Sequence, residues 1–493
     1  MAAIHLPASR PWRPSFAALA GLLTLGAAGL LFLAAAPSSP PPSAEAVRAT
    51  RSNVAALRDG ALQGTRAYDI VHSLTTEVGP RPAGSDGDRR AVAWALRTLK
   101  ELGFENVRAE KVTVPHWEIG AGEGRITAPW PQPVVLAALG GSVPTPAGGI
   151  EAEVLEVPSV QALAGLDPAR VKGKIVFIDK RMERRRDGSG YRETVPGRST
   201  GAAQAGKLGA LAVIIRSVGT DTDRTPHTGG LKYEAGVPPI PAAALSNPDA
   251  DLLESEVKSG RPVTFRLTLT CRSLPEAESA NVIGEIPGRE RPEEIVLLGA
   301  HLDSWPLGTG AIDDGAGVAI VVEAARRIGE LKVRPRRTIR VVLYANEEFG
   351  TSGGPAYARA HAAELPKHVL AGESDLGSGR VWRLSTHFAP EVLPRADELL
   401  QLLAPLGVER GDNEAEGGAD LEALAPARVP LIGLGQDATR YFDWHHTAND
   451  TVDKIDPKDL DQNVAAWAAV AYAAAELPGD FGRAPEAAKP RRR

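Results

Sequence analysis

Gly299-Ala300-His301-Leu302-Asp303-Ser304-Trp305, followed by the glycine-rich Gly308-Thr309-Gly310-Ala311-Ile312-Asp313-Asp314-Gly315-Ala316-Gly317, decides the fold class. Ahead of it, Glu294 to Gly299 is a short apolar run of the kind that forms a buried strand; behind it, Gly317 to Leu331 has helical spacing. A strand that leaves through a polar glycine-rich turn into a helix is the repeating unit of an α/β sheet with helices on both faces. The texture recurs downstream. Thr338 to Ala345, Val369 to Glu373 and Val429 to Leu434 are expected strands, and Gln462 to Leu477 an expected helix.

Each of these strands runs into polar residues: Asn346-Glu347-Glu348-Phe349-Gly350, then Glu373-Ser374-Asp375, then, beyond the last, Trp444-His445-His446-Thr447. In open α/β sheets the carboxyl ends of strands converge on one crevice. Imidazoles and carboxylates gathered there form a ligand set for zinc, or for a close pair of zinc ions. Such a pair needs a carboxylate that can bridge both ions and another, off the metals, that takes a proton from water. Adjacent acids such as Glu347-Glu348 can divide those tasks.

Taken alone, each piece has a plainer reading. An acidic pair such as Asp313-Asp314 is more often a solvated turn or a helix cap, and Glu347-Glu348 more often surface charge. His72, His116, His227, His361, His368 and His387 lack a comparable carboxylate context and read as structural. Four metal-capable groups, each directly after an apolar strand in one half of the chain, outweigh those readings.

Working outward, Asp88 to Leu102 reads as a helix with Gly103 at its C-terminal cap, entered through the turn-rich Gly79-Pro80-Arg81-Pro82-Ala83-Gly84-Ser85. Residues 115–270 change texture. Short β-branched runs such as Ile175-Val176-Phe177-Ile178 and Ala212-Val213-Ile214-Ile215 are separated by Gly and Pro, and little there is helical beyond Ala202 to Leu208. This predicts a β-rich domain inserted between a first catalytic part, 47–114, and a second, 271–478, with a disordered tail over 479–493. Residues 1–46 read as an export signal or membrane anchor plus linker. Arg10 and Arg13 precede the uncharged run Phe16 to Ala36, and a Ser/Pro stretch follows. The expected location is periplasmic or extracellular, released or anchored.

The 493 residues carry a net charge of -5, which gives no reason to expect a nucleic-acid partner. The single cysteine, Cys271, excludes an internal disulfide framework and a cysteine-based zinc cage.

GAHLDSWPLGTGAIDDGAGVA, YANEEFG, GESD and HHTANDT resemble, in order and spacing, the metal-binding blocks of the zinc exopeptidases of metallopeptidase family twenty-eight. The HLDSW block, the His-His pair and the Gly79 to Ser85 stretch are most similar to its plasma glutamate carboxypeptidase (carboxypeptidase Q) branch. The likeness runs from Ala67 to Leu477. It implies an aminopeptidase-like mixed sheet flanked by helices, with residues 115–270 as an inserted protease-associated domain. It implies two zinc ions per chain, His301 and Asp375 on one, Glu348 and His446 on the other, and Asp313 bridging. Glu347 is then the general base and Asp303 the carboxylate that orients His301. The substrate is a short peptide, cut at a terminal bond as an aminopeptidase or dipeptidase would. The homodimer is also an expectation of the resemblance.

Some positions depart from the pattern. His445 stands where single-chain aminopeptidases of the family have Tyr, and is expected to donate a hydrogen bond to the scissile carbonyl. Asp443 interrupts the aromatic run beside Trp444; with Glu373 it is a candidate for the substrate's amino terminus, and Pro226-His227-Thr228-Gly229 is expected to reach towards the cleft. Two other classes share the fold: a single-zinc acyltransferase of the glutaminyl-cyclase type, and a catalytically dead, receptor-like binding protein.

Overall fold

The computed structural model describes residues 44–485. The export segment expected over residues 1–46 lies almost wholly outside the described residues. Among those described, no helix is long and apolar enough to cross a membrane.

Two eight-stranded sheets organise the chain. In the first the order is Glu105–Glu118, Arg272–Ile286, Arg337–Tyr344, Arg291–His301, His368–Glu373, Leu431–Gln436, Val381–His387, Glu409–Arg410. Its middle four strands run parallel, and both Arg337–Tyr344 and His368–Glu373 are buried along their whole length. Covered parallel strands require such near-continuous apolar runs. Register then sets the site. His301 pairs with Tyr344 and Gly299 with Glu373, so the residues following three strands emerge at one level of one edge.

Helices Ala316–Gly329 and Pro457–Glu476 pack against one another on the sheet, and Ala44–Ala61 packs on the latter. Pro457–Glu476 is buried on nearly every side; its alanines permit close approach, and Trp467 at its centre is fully buried. Helix Asp86–Glu101 begins where the Ser85 hydroxyl accepts from the Asp88 N–H, and it buries Ala91, Trp94, Ala95 and Leu99.

Strand Glu105–Glu118 pairs antiparallel with Arg272–Ile286, Glu118 opposite Arg272. The excursion between them carries the second sheet, whose strands lie between Gly122–Ala128 and Thr264–Leu269. The sequence reads as nearly helix-free there, yet Ser189–Thr194, Pro196–Lys207 and Asn247–Lys258 are helices. Their apolar faces are too small to register as a pattern: Pro196–Lys207 buries glycines and alanines, and Asn247–Lys258 is set by Pro248 and by the Ser246 cap on Asp249. The disorder expected from residue 479 does not begin there. Phe481 is buried against Phe388, and the Ala484 N–H donates to the Arg428 carbonyl at 2.9 Å.

Candidate metal centre

His301 ends its strand with Nε2 3.1 Å from Oδ1 of Asp313 and 3.4 Å from Oδ1 of Asp375. The other oxygen of Asp313, Oδ2, lies 3.2 Å from Nε2 of His446, which in turn lies 2.9 Å from Oε2 of Glu348. Two donor clusters therefore share one carboxylate. A tetrahedral ion with bonds of about 2.0–2.1 Å holds its ligand atoms roughly 3.3 Å apart, close to the spacings of His301 to Asp313 and Asp375 and of His446 to Asp313; possible ligand atoms of Asp313, His445 and His446 also lie close together. His445 stacks on the His446 ring, centroids 3.5 Å apart, with its Nε2 3.6 Å from Asp313 Oδ2.

The loop that presents Asp313 is pinned on both sides. Asp450 accepts from the N–H groups of Ile312 at 2.6 Å and Asp313 at 3.3 Å. Asp314 turns the opposite way, accepting from the His301 N–H at 3.1 Å and the Gly317 N–H at 3.0 Å. Gly317 must be glycine, because a Cβ there would lie 2.0 Å from the Ser374 carbonyl oxygen and 2.2 Å from the Asp314 carboxylate. Asp303 Oδ1 sits 3.5 Å from Nδ1 of His301. His446 donates from Nδ1 to the Thr228 carbonyl at 3.3 Å, which leaves Nε2 free for a cation.

The electrostatics fit a cation site. Burial opposes the charge on Asp313, but the hydrogen bond from His301 holds it well below the usual carboxylate range. Burial lifts Glu348 well above that range, and Asp313 lifts it further. Burial also lifts Glu347; His301 offsets part of this, while Asp375, Asp420 and Asp303 add to it. Burial pushes His446 down to about 4 and His445 down as well, so both rings are neutral. Glu348 Oε1 and His445 Nδ1 are buried without a protein partner. Carboxylates crowded around three imidazoles, with Glu348 Oε1 left over as an acceptor, are the chemistry of a divalent-cation site. The residues present fit zinc.

The structure brings His301, Asp313, Glu347, Glu348, Asp375, His445 and His446 together. It does not bring Glu373, Asp443 or His227 into the cavity. Glu373 Oε2 accepts from the Asp420 N–H at 3.1 Å behind the third strand. The Asp443 carboxylate is occupied by Arg184, Arg440 and Thr220. The segment around His227 does reach the cleft, but through the Thr228 backbone; the His227 ring turns away to Asp221 at 2.7 Å.

Residues not singled out in the sequence complete the site. Tyr191 and Arg198 from the inserted domain and Leu376, Tyr441 and Phe442 from the catalytic domain line the same cavity of about 230 Å³. Single aromatics and arginines in unrelated segments give no sequence signal, because only the packing of the two domains makes them neighbours.

The sequence pattern of peptidase family M28 matches residues 281–471, and that of the PA domain matches residues 133–253. Carboxypeptidase Q of Mus musculus is 36% identical over 412 residues, 84% of this chain and 86% of that protein. The carboxypeptidase Q of Bos taurus is 37% identical over the same shares. The chain belongs to peptidase family M28. A solved structure of an M28 peptidase precursor from Shewanella amazonensis SB2B is 48% identical and superposes with a TM-score of 0.88, covering 89% of this chain and 99% of that one. An aminopeptidase from Aneurinibacillus sp. strain AM-1, at 23% identity and a TM-score of 0.58, shares the fold. As an M28 member the chain is a metallopeptidase of the exopeptidase type, with the PA domain set into its catalytic domain.

Proposed function

We propose that this chain is a two-zinc exopeptidase that hydrolyses a terminal peptide bond of short peptides outside the cytoplasm. The observation that carries this is the division of Asp313 between two imidazole–carboxylate clusters, with Oδ1 facing His301 and Oδ2 facing His446. His301, Asp313 and Asp375 would hold one ion, and Asp313, Glu348 and His446 the other. Zinc bound there supplies Lewis acidity at the scissile carbonyl and lowers the pKa of water from about 15.7 towards 7.

The chain's own residues do the rest. Glu347 lines the cavity, and among the described residues it makes no ion pair with His301 or His446; it would take the proton of the attacking water and return it to the leaving amine. His445, kept neutral by burial, can donate a hydrogen bond to the developing oxyanion. Leu376, Tyr441 and Phe442 wall the cavity and exclude bulk water. Export is carried by Arg10, Arg13 and the apolar run after them.

The test is hydrolysis of free dipeptides and aminoacyl anilides by the purified chain before and after chelation. Cleavage abolished by chelator and restored by zinc is expected. Cleavage indifferent to chelator, or cyclisation of N-terminal glutamine in place of hydrolysis, would contradict the proposal.

A further inference from the structure

Buried arginines need partners, since an unpaired charge removed from water is costly. Arg216, Arg326, Arg337 and Arg340 each meet a carboxylate. Arg81, from the turn-rich stretch ahead of helix Asp86–Glu101, is wholly buried and makes no ion pair among the described residues. It is bonded to backbone instead. Nε donates to the Leu302 carbonyl, Nη1 to that of Thr309 at 2.7 Å and Nη2 to that of Gly310 at 2.8 Å. Its own N–H donates to the Ser304 hydroxyl at 3.2 Å, and its carbonyl accepts from the Ser304 N–H at 3.4 Å.

All of these contacts fall on the segment that joins two residues of the metal centre. Leu302 follows His301 directly, and Thr309 and Gly310 come shortly before Asp313. The guanidinium thus ties the two ends of that segment together. Asp450 holds the same segment, its carbonyl accepting from the Thr309 N–H at 2.8 Å and its carboxylate from the N–H groups of Ile312 and Asp313. The fit is close. Gly310 has a φ of +62°, and a Cβ there would stand 2.6 Å from Nη1 of Arg81 and 2.4 Å from Cβ of Ser304. Burial lowers the pKa of Arg81, and the charges of Asp450, Asp303, Asp314 and Asp313 offset part of that, so a cation stands among these acids. Arg81 does not line the metal-centre cavity.

We propose that Arg81 is a positioning residue of the metal centre, closing the segment between His301 and Asp313 so that the two stand at their 3.1 Å spacing before an ion arrives. A planar fork with five N–H groups reaches three carbonyls at once, whereas an ammonium offers its donors from one point. Ligands whose geometry is fixed by their surroundings bind metal more tightly. This role rests on the metal-centre reading above and adds what holds two of its residues in place.

The test is the zinc affinity of Arg81→Gln and Arg81→Lys, read by competition with a chromophoric chelator. Visible absorption of the cobalt-loaded protein and thermal unfolding of the metal-free protein are measured alongside. Removing a cation near a cation site would by charge alone tighten zinc binding, whereas loss of the clamp weakens it. Arg81→Gln is expected to bind zinc about 10- to 100-fold more weakly and to shift the cobalt bands. Arg81→Lys, charged but unable to span the segment, is expected to lose affinity as well. Zinc held as tightly as in wild type, or more tightly, by either variant overturns the proposal. A lowered unfolding midpoint with unchanged affinity and cobalt bands would make Arg81 a support of the fold alone. If both variants fail to fold, Ser304→Ala, which removes one bond to Arg81, takes their place. A loss of about 3- to 10-fold in affinity then supports the clamp, and unchanged affinity refutes it. A wild type that binds no zinc would overturn the metal centre itself, which no outcome in the variants does.

Discussion

Oδ1 of Asp303 accepts a hydrogen bond from the backbone N–H of Glu347 at 3.0 Å. The same oxygen lies 3.5 Å from the His301 ring, so one buried carboxylate couples the strand end that carries His301 to the strand end that leads into Glu347. Both residues come two or three positions beyond paired neighbours of the central sheet, His301 and Tyr344.

Asp303→Asn keeps an acceptor for the Glu347 N–H but removes the negative charge beside His301. Zinc affinity, read by competition with a chromophoric chelator, is expected to fall about 10- to 100-fold. Unchanged affinity would show that Asp303 does not tune the ligand.

Glu347→Gln should bind zinc as the wild type does and lose about 10²- to 10⁴-fold in kcat, because it removes proton transfer without touching a ligand. Steady-state kinetics with matched zinc content decides it. Retained turnover would refute the base assignment.

His445 presents a neutral ring whose Nδ1 has no protein partner. If it stabilises the oxyanion, His445→Gln or His445→Phe should lower kcat by about 10²- to 10³-fold with normal zinc content. If zinc content falls in step with activity, the residue serves the metal instead.

Much of this centre was legible in the sequence because register does the assembly. Once apolar runs are read as parallel strands, the polar residues just after them must share an edge, and His301, Glu347, Glu348 and Asp375 follow. The contributions of the insert were not legible. Tyr191, Arg198 and Thr228 acquire their chemistry only when one domain packs on another, and nothing in their local sequence marks them. Glu373 and Asp443 show the converse failure. Proximity in sequence to a ligand did not bring them to the cleft, since Asp420 and two arginines respectively engage them.

Away from the site, His368 is fully buried, its Nε2 accepting from the Tyr357 hydroxyl at 2.8 Å and its Nδ1 donating to the Glu364 carbonyl at 3.1 Å. Burial lowers its pKa from 6.5 to about 4. The folded state therefore binds fewer protons than the unfolded one between these values. Its contribution, up to about 3 kcal/mol, is present above pH 6.5 and lost as pH falls towards 4. Urea midpoints should fall over that window in the wild type and fall less in His368→Gln. Parallel pH profiles would contradict the assignment.

The shared carboxylate of Asp313 is tested most directly by counting metal. Mass-spectrometric zinc content of the purified, active chain should come close to two ions per chain. A fully active chain that holds a single zinc would contradict the two-ion centre and point to single-zinc chemistry on the same fold.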